Sequence, residues 1–190
     1  MAVRRPIETE SITVQRLAVS IPASYAKVLD RFRTLVPQIK LGDLRASTSA
    51  EEIAKVIADT QTSTDFVLFA EFNHGRWIRH FPPFSGEQNL GSGESQGIHK
   101  GRGVHRFIFG NPLLAITMLR ENVEAALHVP LDCAFIEQED GWTRMVMLLP
   151  EGLVAGYDEF ASNQALREAA SNLEEKIFRL VDAITSSDAA

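Results

Sequence analysis

Cysteine is nearly missing from this chain. Cys133 stands alone among 190 residues, which excludes an internal disulfide and any thiolate cluster of metal-binding spacing. Long hydrophobic runs are missing as well. The longest uncharged stretch, Phe107–Leu119, reaches only about thirteen residues and is broken by Asn111-Pro112, whereas a membrane span needs roughly twenty. Basic residues are in the minority, 19 Lys and Arg against 25 Asp and Glu, for a net charge of −6. That balance argues against binding nucleic acid in bulk, which depends on cations releasing counterions from phosphates. No apolar run follows Arg4 and Arg5, so the N-terminus does not read as a secretory leader. Repeats and low-complexity tracts are lacking too. What is present is ordinary globular composition, 45% apolar and 23% charged, at a length that suits one domain, residues 1–190, with a full core. The expectation is a cytoplasmic protein with no nucleic-acid partner and no membrane partner, and with a loose terminus over residues 1–10.

Hydrophobic periodicity supplies the elements. Ile12–Ser20 is rich in β-branched residues and roughly alternates, as a strand does. Between Ile21-Pro22 and Pro37, the residues Tyr25, Val28, Leu29, Phe32, Leu35 and Val36 fall on one helical face. Gln38–Ala46 reads as a connection. Thr48 and Ser49 each precede a glutamate by three residues, Glu51 and Glu52, a doubled capping box for a short helix that buries Ile53, Val56 and Ile57. Asp65–His74 is a strong strand. Its even positions, Phe66, Leu68, Ala70, Phe72 and His74, are drier than its odd ones and are assigned to the core. Val104–Phe109 is a buried strand that breaks at Gly110-Asn111-Pro112. Asparagine there can cap a helix, and proline at the first helical position loses nothing by lacking an N–H. A second helical piece spans Val123–Leu127. Leu131–Gln138 and Trp142–Leu149 flank Asp140-Gly141, a hairpin signal, and Pro150 closes the pair. Leu166, Ala170, Leu173, Ile177, Leu180 and Ile184 recur at alternating intervals of four and three, the stripe of a long amphipathic helix. Hairpin pairing with grouped helices favours an α+β fold, an antiparallel or mixed sheet of four to five strands gripping the C-terminal helix.

Residues 75–103 break this rhythm. Seven of the twelve glycines fall there, with Pro82 and Pro83, so the segment reads as a long glycine-rich loop of the functional or mobile kind. From residue 76 to 106, Arg76, Arg79, Lys100, Arg102 and Arg106 outnumber Glu87 and Glu94, a local positive patch on an acidic protein.

Several of these stretches together resemble a family. Phe66–His74, the Phe109-Gly110-Asn111-Pro112 break with Leu113–Met118 behind it, the Val129-Pro130-Leu131 turn and Glu137–Gly141 are similar to the domain of unknown function numbered 302, DUF302. The resemblance runs from roughly Val19 to Ile184 and is to the longer form, with an extended loop between His74 and Arg106. It implies a helix-grip, TATA-binding-protein-like α+β fold, often dimeric, and it implies no activity or cofactor. Only His74, Gly110, Asn111 and Pro112 carry over as motif positions, without assigned roles.

The candidate chemistry centres on histidine. Alternation puts His74 with Phe72 and His105 with Phe107, so paired strands would bring both imidazoles to one end of an aromatic-lined cavity, where they could act as acid or base. The competing reading is a structural histidine bonded to a backbone carbonyl. A metal site from His74, His80, His99 and His105 matches no zinc spacing, and no cofactor is implied. The primary reading is a binding domain for a small anionic or amphipathic molecule. Its apolar cavity has a basic, histidine-containing mouth, and the ligand-binding candidates are Arg79, Arg106, Asn111, Phe72 and Phe107. The alternative is an acid–base enzyme of lyase or isomerase type on a small carbonyl or carboxylate compound. There His74 or His105 moves a proton while Arg79 or Arg106 holds developing negative charge. A homodimer through one sheet face is a further expectation.

Overall fold

The computed structural model describes residues 9–60, 62–81, 84, 103–157, 160 and 162–186. Its strands are β1 (Arg16–Ile21), β2 (Val67–Asn73), β3 (Val104–Gly110), β4 (Leu131–Glu137) and β5 (Thr143–Leu148). They form one open antiparallel sheet of five strands in the order β1-β5-β4-β3-β2. Asp140-Gly141 makes the β4–β5 hairpin turn, with Gly141 at a φ of 82° that a side chain would resist.

One face of the sheet is core. Strand alternation lines it with Phe107, Phe109, Cys133, Phe135, Met145 and Met147, all withdrawn from water. Helix α1 (Tyr25–Leu35) drives Phe32 into this wall. Its ring meets Phe107, Phe109 and Phe135 at centroid separations of 4.7, 5.6 and 5.2 Å. The long C-terminal helix α7 (Gln164–Thr185) buries Leu166, Ala170, Leu173, Ile177, Leu180, Val181 and Ile184 in the same core. That stripe is worth on the order of 10 kcal/mol of gross transfer free energy, an upper bound because unfolded chains are themselves compact. Arg31 of α1 donates to the carbonyls of Ile184 and Ser186 at 2.7 and 2.6 Å, so the open end of α7 is tied to α1.

The other helices are short. They are α2 (Leu41–Ala46), α3 (Ala50–Asp59), α4 (Gly75–Ile78), α5 (Pro112–Leu119) and α6 (Pro150–Val154), with a 3-10 turn at Val123–Leu127. The cap forms at Ser49, whose Oγ accepts from the Glu52 N–H, while the Glu52 carboxylate reaches one residue further back than the box predicts and accepts from the Thr48 N–H at 2.6 Å. Only Ile57 of α3 is fully buried, against Ile39 and Val67 in a small second core, while Val56 packs at its margin.

Three expectations are corrected. Gln38–Ala46 is not all connection, because α2 occupies its second half. Pro150 does not merely close the hairpin but opens α6 from its first turn. The strand before His74 does not keep its even positions inside. The register slips between Leu68 and Ala70, and a bulge of this kind turns every later side chain over. Past it, Glu71 pairs with Phe107 and Asn73 with His105 on the inner side, while Phe72 pairs with Arg106 on the outer side and is 46% exposed. Among the described residues no helix is long and apolar enough to cross a membrane.

Candidate functional site

The bulge has a chemical result. It delivers the Glu71 carboxylate to the inner face beside His105, where alternation alone would have put a phenylalanine. The Glu71 carboxylate lies 3.2 Å from His105 Nε2, and the Tyr25 hydroxyl lies 2.6 Å from His105 Nδ1. The carboxylate selects the tautomer with its proton on Nε2, leaving Nδ1 to accept from Tyr25. Arg33 grips the same carboxylate through Nη2 at 2.6 Å and Nε at 3.2 Å, and its guanidinium lies 5.9 Å from the centroid of the Phe107 ring. Hydroxyl, imidazole, carboxylate and guanidinium thus run in series across α1, β3 and β2. Burial pushes the His105 pKa down from its usual 6.5, against the pull of Glu71, so the ring is neutral at neutral pH. Burial, reinforced by Glu137, pushes the Tyr25 hydroxyl far up, so it keeps its proton. Gly103 belongs to this group: its N–H donates to Glu137 at 2.8 Å, and a Cβ on it would overlap the Tyr25 ring.

The other sequence candidates separate from this chain. His74 is not the last member of an inner row. It stands at the start of α4, with its ring stacked on outer-face Phe72 at 6.4 Å and edge-on to Trp77 at 5.9 Å. The two imidazoles therefore have separate partners. Arg79 Nε donates to the carbonyls of Gly75 and Arg76. Arg106 is on the outer face, paired with Asp132 at 2.5 Å. Phe107 is wholly buried. Where the apolar cavity was expected, Phe32, Phe107, Phe109 and Phe135 pack ring against ring between sheet and helices. Of the long loop, residues 75–78 form α4, whereas His99, Lys100 and Arg102 lie outside the described residues. Among the described residues, no three histidine, cysteine or carboxylate side chains are grouped to hold a metal ion.

A different cavity does exist. A cleft of about 690 Å³ opens where β3 turns into α5, lined by Phe69, Gly110, Asn111, Leu114, Ile116, Met118, Pro130 and Leu173, with Ser47, Thr48 and Ser49 at its polar edge. None of its lining residues is charged. Asn111 shapes one wall: its Oδ1 accepts from the Leu113 N–H at 2.8 Å and its Nδ2 donates to the Asp65 carbonyl at 2.9 Å. It therefore holds the α5 start against the approach to β2, and one amide N–H and one lone pair of its oxygen remain beyond these two bonds. The sequence signal for this cleft was the unusual apolarity of Pro112–Leu119 on all sides, the mark of a helix with more apolar surface than one core face uses.

The class these features define is an α+β domain with an open five-stranded antiparallel sheet and a long C-terminal helix. Within that class, residues 91–184 match the family model described as "Domain of unknown function DUF302". A similar solved structure is that of an uncharacterized conserved DUF302 protein from Bacillus stearothermophilus. It has a TM-score of 0.54 and 15% identity, covering 89% of this chain and 97% of the other. At that identity the likeness is one of fold. No curated protein matches the chain.

Proposed function

We propose that the chain binds a small amphipathic molecule with an apolar body in the cleft between α3 and α5. The observation that carries this reading is a volume in the range of small-molecule sites, with an uncharged lining and its polar groups confined to one edge. With no cation in the lining, the fitting ligand ends in a hydroxyl rather than an anion, and the serine and threonine edge receives that end. Isothermal titration with straight-chain primary alcohols tests it. Affinity should rise about fourfold per methylene, from about 0.8 kcal/mol for each buried CH₂, until the cleft is full. Ile116, 44% exposed, lies in the lining, so Ile116→Glu should abolish binding with the circular dichroism spectrum unchanged. Affinity independent of chain length, or unaffected by that substitution, defeats the proposal.

One observation favours a second reading, the serial contact of Tyr25, His105 and Glu71. A hydroxyl bonded to an imidazole that a carboxylate orients is the arrangement of an acid–base pair, and a small carbonyl compound at the Tyr25 edge is its fitting substrate. Its test is exchange of α-protons of small carbonyl compounds into heavy water, followed by proton NMR. The native chain should catalyse exchange, and Tyr25→Phe and His105→Gln should not. No exchange with the native chain removes this reading.

A further inference from the structure

Three large rings on the far side of β2 are exposed: Phe72 at 46%, Trp77 at 53% and Phe81 at 58%. They are not scattered. Phe72 stacks on His74 at 6.4 Å, His74 meets Trp77 at 5.9 Å and Trp77 meets Phe81 at 6.2 Å, so the rings form one continuous ridge. Exposed Arg76 and Arg79 lie between them in the chain. The ridge continues onto the outer face of the sheet, because Phe72 pairs with Arg106 there. By strand register that face also presents Arg16 and Arg144, with Asp132 its single carboxylate among the strand residues. Ile108, Ala134, Ile136, Val146 and Leu148 on this face retain exposure to water, while Val67 at its β2 end is buried against Ile39 and Ile57. An aromatic ridge beside a cationic, half-apolar sheet face is thus left on a protein whose net charge is −6, and a contiguous apolar patch of this kind marks a contact surface.

We propose that this ridge and face dock on a lipid bilayer carrying anionic headgroups. Trp77, Phe81 and Phe72 enter the interface, where aromatic rings partition well, and Arg76 and Arg79 meet the headgroup phosphates and carboxylates. Charge argues for this occupant over a second copy of the chain, since self-pairing would bring two positive faces together. Ring geometry argues for it over single-stranded nucleic acid. Only Phe72 and His74 are stacked; the His74–Trp77 and Trp77–Phe81 planes cross at 79° and 81°, so the ridge offers no continuous row of parallel faces for successive bases.

The test is sedimentation of the full chain with vesicles of phosphatidylcholine, with and without phosphatidylserine. Trp77 fluorescence is read in a Trp142→Phe background, because the sequence holds only two tryptophans. The chain should bind the phosphatidylserine vesicles, with a blue shift of Trp77 emission. Arg76→Gln with Arg79→Gln should weaken binding by roughly thirtyfold, about fivefold for each arginine. Trp77→Ala with Phe81→Ala should abolish the residual binding, and every variant should keep the native circular dichroism spectrum. Failure to bind phosphatidylserine vesicles overturns the proposal. So does binding without a change in Trp77 emission, or Trp77 quenching by a single-stranded oligonucleotide in place of lipid.

Discussion

At the scale of single residues, Tyr25, Gly103 and His105 act as one unit. Gly103→Ala should destabilise the fold by about 1–3 kcal/mol through overpacking against the Tyr25 ring. In a Tyr25→Ala background that penalty should nearly vanish, a coupling that urea melts of the single and double variants measure. The pH response follows from His105. Its folded pKa lies below the usual 6.5 because of burial, so the unfolded chain takes up the proton first as pH falls. The stability present above pH 6.5 is therefore lost as pH drops from there through the lowered folded value. Burial shifts His128 the same way and Glu174 the opposite way, but both are common to native and His105→Gln chains. The difference between their urea midpoints should then shrink on acidification. His105 was legible in the sequence as an inward residue of an alternating strand. Its partner Tyr25 was not, because the contact joins residues 80 apart, and neither was Glu71, whose carboxylate faces inward only through an irregularity that alternation cannot anticipate.

Elements were legible where local chemistry decides them. Asn111-Pro112 starts α5 and Ser49 caps α3 because a cap needs only its own neighbours. The α7 stripe was legible for a similar reason, since seven inward positions on one helix outweigh any single error of reading. Three short helices escaped, α2, α4 and α6. Each is six residues or fewer, too short to show a period, and α4 begins on a glycine inside a glycine-rich stretch. Two element-scale outcomes are expected. Ile177→Ala, in the buried stripe, should cost about 2–5 kcal/mol, whereas Phe178→Ala, 43% exposed one position on, should stay within about 0.5 kcal/mol. Asn111→Ala should cost about 1–2 kcal/mol through the lost cap. Asn111→Asp should retain the cap but set a carboxylate oxygen against the Asp65 carbonyl in place of the donated N–H, so it should recover only part of the loss. Thermal melts monitored at the helical band decide both.

For the whole molecule, the sheet separates two regions of different character. The cleft lies beyond the end of β3 at Gly110, and the aromatic ridge lies beyond the end of β2 at Asn73, next to the start of β3. Substitutions in one should leave the other untouched. Ile116→Glu should remove alcohol binding and preserve vesicle sedimentation, while Arg76→Gln with Arg79→Gln should do the reverse. The layer order itself was open to sequence reasoning, because inward rows of phenylalanine and methionine require a cover and only the C-terminal helix was long enough to supply much of it. Where that cover leaves a gap was not open to it, since a cleft is set by the relative placement of α3, α5 and the Val129–Leu131 turn rather than by any one of them.

Cys133 sits on β4, the middle strand of the order β1-β5-β4-β3-β2, fully buried, and its surroundings hold the thiol well above its normal ionisation range. A sulfhydryl reagent can therefore react only when the innermost strand lets go of its neighbours. The rate at which a colour-forming disulfide probe labels the native chain becomes a clock for complete opening. It needs no engineered reporter, and a cleft ligand that stabilises the fold should slow it in proportion to its occupancy.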